Sequence, residues 1–231
     1  MISIEKENAY IIKLYPIENM IITKQKEIDN ILDLVEDGPV FIIGCSECAT
    51  LCNTGGEKEV KEMKKILEDK KIDVTGFVIL DPACHFLNDK RILKNYKNEI
   101  KNAKKILVLA CGNGVQTVAE LIQEIDVIPG TDTLFLGEIK RLGDFEKRCT
   151  LCGECIVYLY DGLCPISRCP KGMLNGPCGG SIDGKCEISK DLDCVWDLIF
   201  KRLKAYNNLQ KLKQIIEPID WSKSTEMRRR I

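Results

Sequence analysis

Over roughly the first 145 residues, short apolar runs alternate with stretches that are apolar on one face only. Pro39-Val-Phe-Ile-Ile-Gly44 is a continuous apolar run of strand length, which predicts a buried strand. Val74-Thr-Gly-Phe-Val-Ile-Leu80 and Ile106-Leu-Val-Leu-Ala110 predict two more, and Val127-Ile128 opens a weaker fourth. Between them, Lys58 to Lys70 places Val60, Met63, Ile66 and Leu67 on one helical face. Asn88 to Lys101 does the same with Ile92, Leu93, Tyr96 and Ile100, and Val115 to Ile125 with Val118, Leu121, Ile122 and Ile125. A further helix is predicted over 24–36. Strand–helix–strand connections of this length predict a parallel, doubly wound sheet.

The pattern breaks at residue 149. From there to 186 apolar periodicity disappears and Gly, Pro and Cys dominate, as in Cys164-Pro165, Cys169-Pro170 and Gly176-Pro-Cys-Gly-Gly180. So few packable side chains call for staples besides a hydrophobic core. Asp191 to Ile216 then predicts a helix with Trp196, Ile199, Leu203, Tyr206, Leu209 and Leu212 on one side. The expected fold class is α/β: a small doubly wound parallel sheet over residues 1–145, then a Cys-rich, cluster-stapled domain with a C-terminal helix over 146–231. An apolar arm, Ala9-Tyr-Ile-Ile-Lys-Leu-Tyr15, precedes the first β/α unit and is expected to contact a partner or the chain's own sheet. Arg228-Arg-Arg230 reads as a solvated tail.

Charge narrows the function classes. Lys plus Arg number 34 and Asp plus Glu 35, so no global positive field attracts nucleic acid. No stretch is long and apolar enough to span a membrane, and residues 1–7 have no secretory pattern, so a reducing cytoplasm is expected. There, clustered cysteines read as metal ligands before they read as disulfides. The chain has 13 cysteines, an odd number, so they cannot all be paired with one another.

Five lie in the first domain: Cys45, Cys48, Cys52, Cys84 and Cys111. Cys45, Cys84 and Cys111 each follow a predicted strand, so they converge on the carboxyl edge of a parallel sheet, where such folds bind ligands. Four thiolates hold a [4Fe–4S] cluster, which leaves one spare, Cys48 or Cys84. His85, the sole histidine, could replace a thiolate in a Cys₃His zinc site, although a plain loop residue is the commoner role. Gly44, Gly112 and Gly114 would let backbone amides approach the bound group. The other eight are Cys149, Cys152, Cys155, Cys164, Cys169, Cys178, Cys186 and Cys194. Structural zinc sites usually show two separated Cys-x₂-Cys pairs. Here three cysteines recur every third residue and two later ones precede proline, closer to a ferredoxin-type run. Eight make two sets of four: Cys149, Cys152 and Cys155 with Cys164 or Cys169, and the remainder with Cys178, Cys186 and Cys194. One cluster plus one zinc ion remains open.

These residues carry a resemblance. Cys149-Thr-Leu-Cys-Gly-Glu-Cys155, Cys164-Pro, Cys169-Pro-Lys, Asn175-Gly-Pro-Cys-Gly-Gly180, Gly184-Lys-Cys-Glu187 and Cys194-Val-Trp196 resemble the methylenetetrahydrofolate reductase C-terminal domain family. Gly44-Cys-Ser-Glu-Cys48 and Ala110-Cys-Gly-Asn-Gly114 are similar to the amino-terminal part of its free-standing, MetV-type small subunits. The resemblance implies two or three [4Fe–4S] clusters and a flavin-containing TIM-barrel large subunit as partner. It also implies an electron-transfer role in the one-carbon metabolism of anaerobes, from ferredoxin or another carrier to that flavin. A zinc-stabilised structural subunit of the same complex is the alternative. The chain is too short to hold a barrel beside these domains and shows no convergent acid/base pair, so no catalytic residue is expected. Glu47 and Glu154 read as solvated or potential-tuning residues.

Overall fold

The computed structural model describes residues 20–36, 38–141 and 143–224. The apolar arm at 9–15 and the arginines at 228–230 lie outside the described residues. The described chain is α/β, with one parallel and one antiparallel sheet. It opens with β1 (Ile21–Gln25) and α1 (Ile28–Val35). The parallel sheet follows, from β2 (Val40–Cys45), β3 (Val74–Leu80), β4 (Lys105–Leu109) and β5 (Asp126–Pro129), in the order β3-β2-β4-β5. Between β2 and β3 lie α2 (Cys48–Leu51) and α3 (Glu57–Asp69). Between β3 and β4 lie α4 (Phe86–Leu93), a short 3₁₀ turn and α5 (Lys97–Asn102). α6 (Gly112–Leu121) leads to β5.

Every residue of β2 is buried, which is why its sequence is a continuous apolar run. The two-residue period of the strand divides that run between two cores. Phe41, Ile43, Ile106 and Val108 pack with Leu93, Ile100 and Val118 of α4, α5 and α6. Val40, Ile42, Leu107 and Leu109 pack with Ile31 and Val35 of α1 and Val60, Met63 and Leu67 of α3. Each fully buried Ile or Leu contributes about 1.5–3 kcal/mol by leaving water. Helices thus cover both faces of the sheet. The loops after β2 and β4, which are neighbours, lead to helices on opposite faces, and that divergence opens a crevice at the strand ends. Cys45 ends β2, and Cys111 is the first residue before α6.

The second sheet, in the order β1-β6-β7, departs from the sequence expectation. It contains β6 (Thr131–Arg141) and β7 (Asp144–Cys149), and the expected domain boundary at 145/146 falls inside β7. Residues 24 and 25, expected to open the helix over 24–36, instead end strand β1, which pairs antiparallel with β6, Ile22 opposite Phe135. Local pattern yields there to a partner strand far along the chain.

The Cys-rich segment has a small core of its own. Ile156, Leu159, Tyr160 and Leu163 pack under Val195, Trp196, Ile199 and Leu203 of α8 (Val195–Ala205); α7 (Pro165–Arg168) lies between. The Tyr160 and Trp196 rings meet edge-on at 5.4 Å, and the indole N–H donates to Met173 O at 3.1 Å. The helix expected over 191–216 ends at Ala205, since Asn207 adopts a left-handed backbone with φ 56°. A 3₁₀ turn over Leu209–Lys213 follows. No helix among the described residues is long and apolar enough to cross a membrane.

Candidate metal centres

At the carboxyl edge of the parallel sheet the charge of Cys111 acts on Cys45, Cys48 and Cys84, and Cys48 is also acted on by Cys45 and Cys52. Burial is the main cause that raises the pKa of Cys45, Cys48 and Cys84, and the neighbouring thiols raise it further. Cys84 is pushed up to about 11. Backbone amides oppose this. Those of Ala83, Glu47 and Ala49 face the Cys45 sulfur, and Ile21 N–H donates to Cys48 Sγ at 3.5 Å. Four thiols that repel one another as anions, with amide N–H groups aimed at their sulfurs, suit a thiolate-bound cation.

Cys52 Sγ accepts Thr23 N–H of β1 at 3.5 Å, and among the other four thiols its charge acts on Cys48. His85 caps α4, its Nδ1 accepting the Asn88 N–H at 3.3 Å. The glycines also have another role than the one expected. A Cβ on Gly44 would meet Gly55 O at 2.5 Å, and one on Gly114 would meet Ala110 and Ala83 at 3.0–3.1 Å, so these glycines permit close packing of the segments that carry the thiols. Gly112 N–H is taken by Thr133 Oγ1 at 2.8 Å, and Thr131 Oγ1 donates to Ala110 O. Two threonines of β6 thus hold the residues on either side of Cys111. Nothing near Cys111 in sequence signals them.

The other eight cysteines divide by place. Cys169, Cys178, Cys186 and Cys194 line one small cavity of about 20 Å³, together with Arg168, Lys171 and Glu187. Cys164 does not line that cavity. Ser167 Oγ donates to Arg148 O at 2.8 Å and lies 3.5 Å from Cys164 O, which ties the start of α7 to the end of β7 beside Cys149. Leu151 N–H donates to Cys149 Sγ at 3.3 Å, and Cys152 is buried with its Sγ 3.2 Å from Glu154 O. Around this segment Arg148 bridges Glu138 and Glu146, both at 2.6 Å, and Arg168 pairs with Glu146 at 2.9 Å.

Residues 128–222 match the model of the methylene-tetrahydrofolate reductase C-terminal family.

This methylene-tetrahydrofolate reductase-related domain runs from the end of β5 to the turn after α8 and contains all eight of the later cysteines. The sheet-edge cysteines lie outside the matched residues. No curated protein and no solved structure matches the chain. Among the described residues, no three His, Cys, Asp or Glu side chains stand close enough to grip one ion as they are. The sheet-edge cysteines and the four that line the cavity are neighbourhoods, and a metal would have to draw their thiols inward.

One buried charge beside the sheet-edge set has a measurable consequence. Asp89 of α4 is fully buried and its two carboxylate oxygens have no hydrogen-bond partner. Burial raises its pKa to about 6, with His85 opposing. A folded pKa above the unfolded value means that this group's stability contribution is full below about pH 4 and is lost as pH rises through about 6. Asp89→Asn is therefore expected to raise the urea midpoint at pH 7.5, by about 1–2 kcal/mol of stability, and to flatten the decline between pH 4 and 7. Parallel urea titrations of the two proteins across that range check it.

Proposed function

We propose that this chain is an iron–sulfur electron-transfer subunit of a methylenetetrahydrofolate reductase complex, cytoplasmic and of anaerobic one-carbon metabolism. It passes electrons from ferredoxin or another carrier to the flavin of a larger catalytic partner. The observation that supports this reading is that the matched domain holds eight of the 13 cysteines, four of them lining one cavity, while Cys45, Cys48, Cys84 and Cys111 lie close together at the sheet edge; Cys149, Cys152, Cys155 and Cys164 are proposed as a third set from their run in sequence. All-thiol donor sets suit iron–sulfur clusters or zinc.

When bound, [4Fe–4S] clusters supply one-electron redox chemistry. The chain's own part is ligation and tuning. In the sheet-edge set, buried Cys45 and Cys111 keep water from the sulfurs, and backbone N–H groups from β1 and the β2–α2 turn stabilise thiolate charge. In the cavity set, Arg168 and Lys171 are matched by Glu187 and Asp193, so the fixed charges around the four thiols balance. Glu187 pairs with Lys171 and accepts from Cys178 Sγ at 3.5 Å.

The 20 Å³ cavity favours a second reading for that set alone. It has room for a single ion, and zinc there would be a structural staple in place of a cluster. The functional experiment is anaerobic mixing of the dithionite-reduced chain, freed of excess reductant, with an oxidised flavin-bearing large subunit. Bleaching of the flavin absorbance in proportion to added chain is expected. A flavin that stays oxidised while the two proteins co-elute would leave only the structural reading.

A further inference from the structure

After α8 the chain does not leave the Cys-rich domain but crosses back over it, touching three loops in turn. Lys211 Nζ donates to Tyr158 O at 3.0 Å and pairs with Asp161 at 2.6 Å, on the loop between Cys155 and Cys164. Ile216 is clamped by one side-chain amide: Asn175 Nδ2 donates to its carbonyl at 2.9 Å, and its N–H donates to Asn175 Oδ1 at 2.7 Å. Asn175 lies on the loop between Cys169 and Cys178. Lys223 Nζ then donates to Glu154 Oε2 at 2.7 Å, between Cys152 and Cys155.

The last contact is the tightest. Gly153 has φ +80°, and a Cβ there would lie 2.7 Å from the Lys223 carbonyl carbon and oxygen. Backbone thus rests directly on backbone over the residue next to buried Cys152. Ile216 and Ile219 also pack against the core under α8. Each contact falls in an interval between two cysteines, where the loop has few packing partners of its own and its position depends on what lies over it.

We propose that residues 209–224 are a strap that closes the thiol loops, so that access to Cys152, and loss of whatever metal its set holds, is governed by release of the strap. The metal half of this rests on the reading of the thiol sets as metal centres; the access half does not.

The test uses the full chain as purified, with Asn175→Ala, Lys223→Glu and the two combined. Iodoacetamide labelling of Cys152 is followed by mass spectrometry, beside metal loss to a chelator. Asn175 makes two hydrogen bonds to the Ile216 backbone, whereas Lys223 contributes one exposed ion pair, so Asn175→Ala should act more strongly than Lys223→Glu. Cys152 labelling is expected to speed up roughly ten- to thirty-fold in the double variant, with Cys111 of the sheet-edge set labelled at the parental rate and metal loss from the Cys149–Cys164 set accelerated. Unchanged Cys152 labelling would overturn the strap, and so would equal acceleration at Cys111, which reports general loosening. A chain that holds no metal would sink the reading of the sets, and the ratio of Cys152 to Cys111 labelling would still decide the strap.

Discussion

Cys111→Ser is expected to lose the metal of the sheet-edge set, whereas Cys52→Ser keeps it. The two residues would be equivalent if five nearby thiols were all that mattered. They differ in the fold. Cys111 is buried at the mouth of the crevice between β2 and β4, its charge acts on Cys45, Cys48 and Cys84, and Thr131 and Thr133 fix its neighbours. The charge of Cys52 acts on one of these thiols alone, Cys48, and its Sγ is bonded to the β1 backbone at Thr23 and Ile21. A serine oxygen is a poor replacement for a thiolate toward iron or zinc, so one lost ligand costs most of the occupancy of a four-ligand site. A cluster at this set would mean a loss of roughly four iron per chain in Cys111→Ser. Metal analysis of both variants beside the parent is the measurement. Equal loss in both would show that Cys52 belongs to the set.

The second large effect is expected at a residue with no side chain. Gly55→Ala should destabilise the fold by about 3 kcal/mol or more, because overpacking of rigid backbone leaves nothing to give way. An added Cβ would lie 1.8 Å from Leu109 O, at the end of β4. Gly55 also accepts the Cys45 N–H at 2.9 Å, so the same methyl that pushes on β4 displaces the end of β2. Its neighbours are the strand ends that carry Cys45 and lead to Cys111. Gly55→Ala is therefore expected to lower both the urea midpoint and the metal content of the sheet-edge set. A Gly172→Ala control has nothing within 4 Å to meet and carries only the strain of its φ of +65°, about 1 kcal/mol. If Gly55→Ala costs no more than that control, the close packing described at the strand ends is wrong.

What was legible in the sequence was what local pattern decides. β2, β3 and β4 are long apolar runs because both faces of the sheet are covered, and α3 was readable from Val60, Met63 and Leu67. Convergence of Cys45, Cys84 and Cys111 was expected because each directly follows a strand of a parallel sheet. What was not legible depends on partners distant in sequence. β1 pairs with β6, so Ile21 to Gln25 carries no local sign of a strand strong enough to separate it from the helix that follows. Spacing left Cys164 and Cys169 interchangeable. The fold separates them, since Ser167 ties Cys164 to the end of β7 while Cys169 turns into the cavity with Cys178, Cys186 and Cys194. Thr131 and Thr133 are ordinary strand residues until the fold sets them beside Cys111.

The central claim is that the three thiol sets hold redox-active metal. Iron, zinc and acid-labile sulfide counted per chain, on protein purified without oxygen, test it most directly. The account predicts iron and sulfide in equal amounts, roughly four of each per cluster, from two or three clusters, with zinc at no more than one per chain and then at the Cys169–Cys194 cavity. Zinc alone, with no sulfide and no paramagnetic signal on reduction, would contradict it.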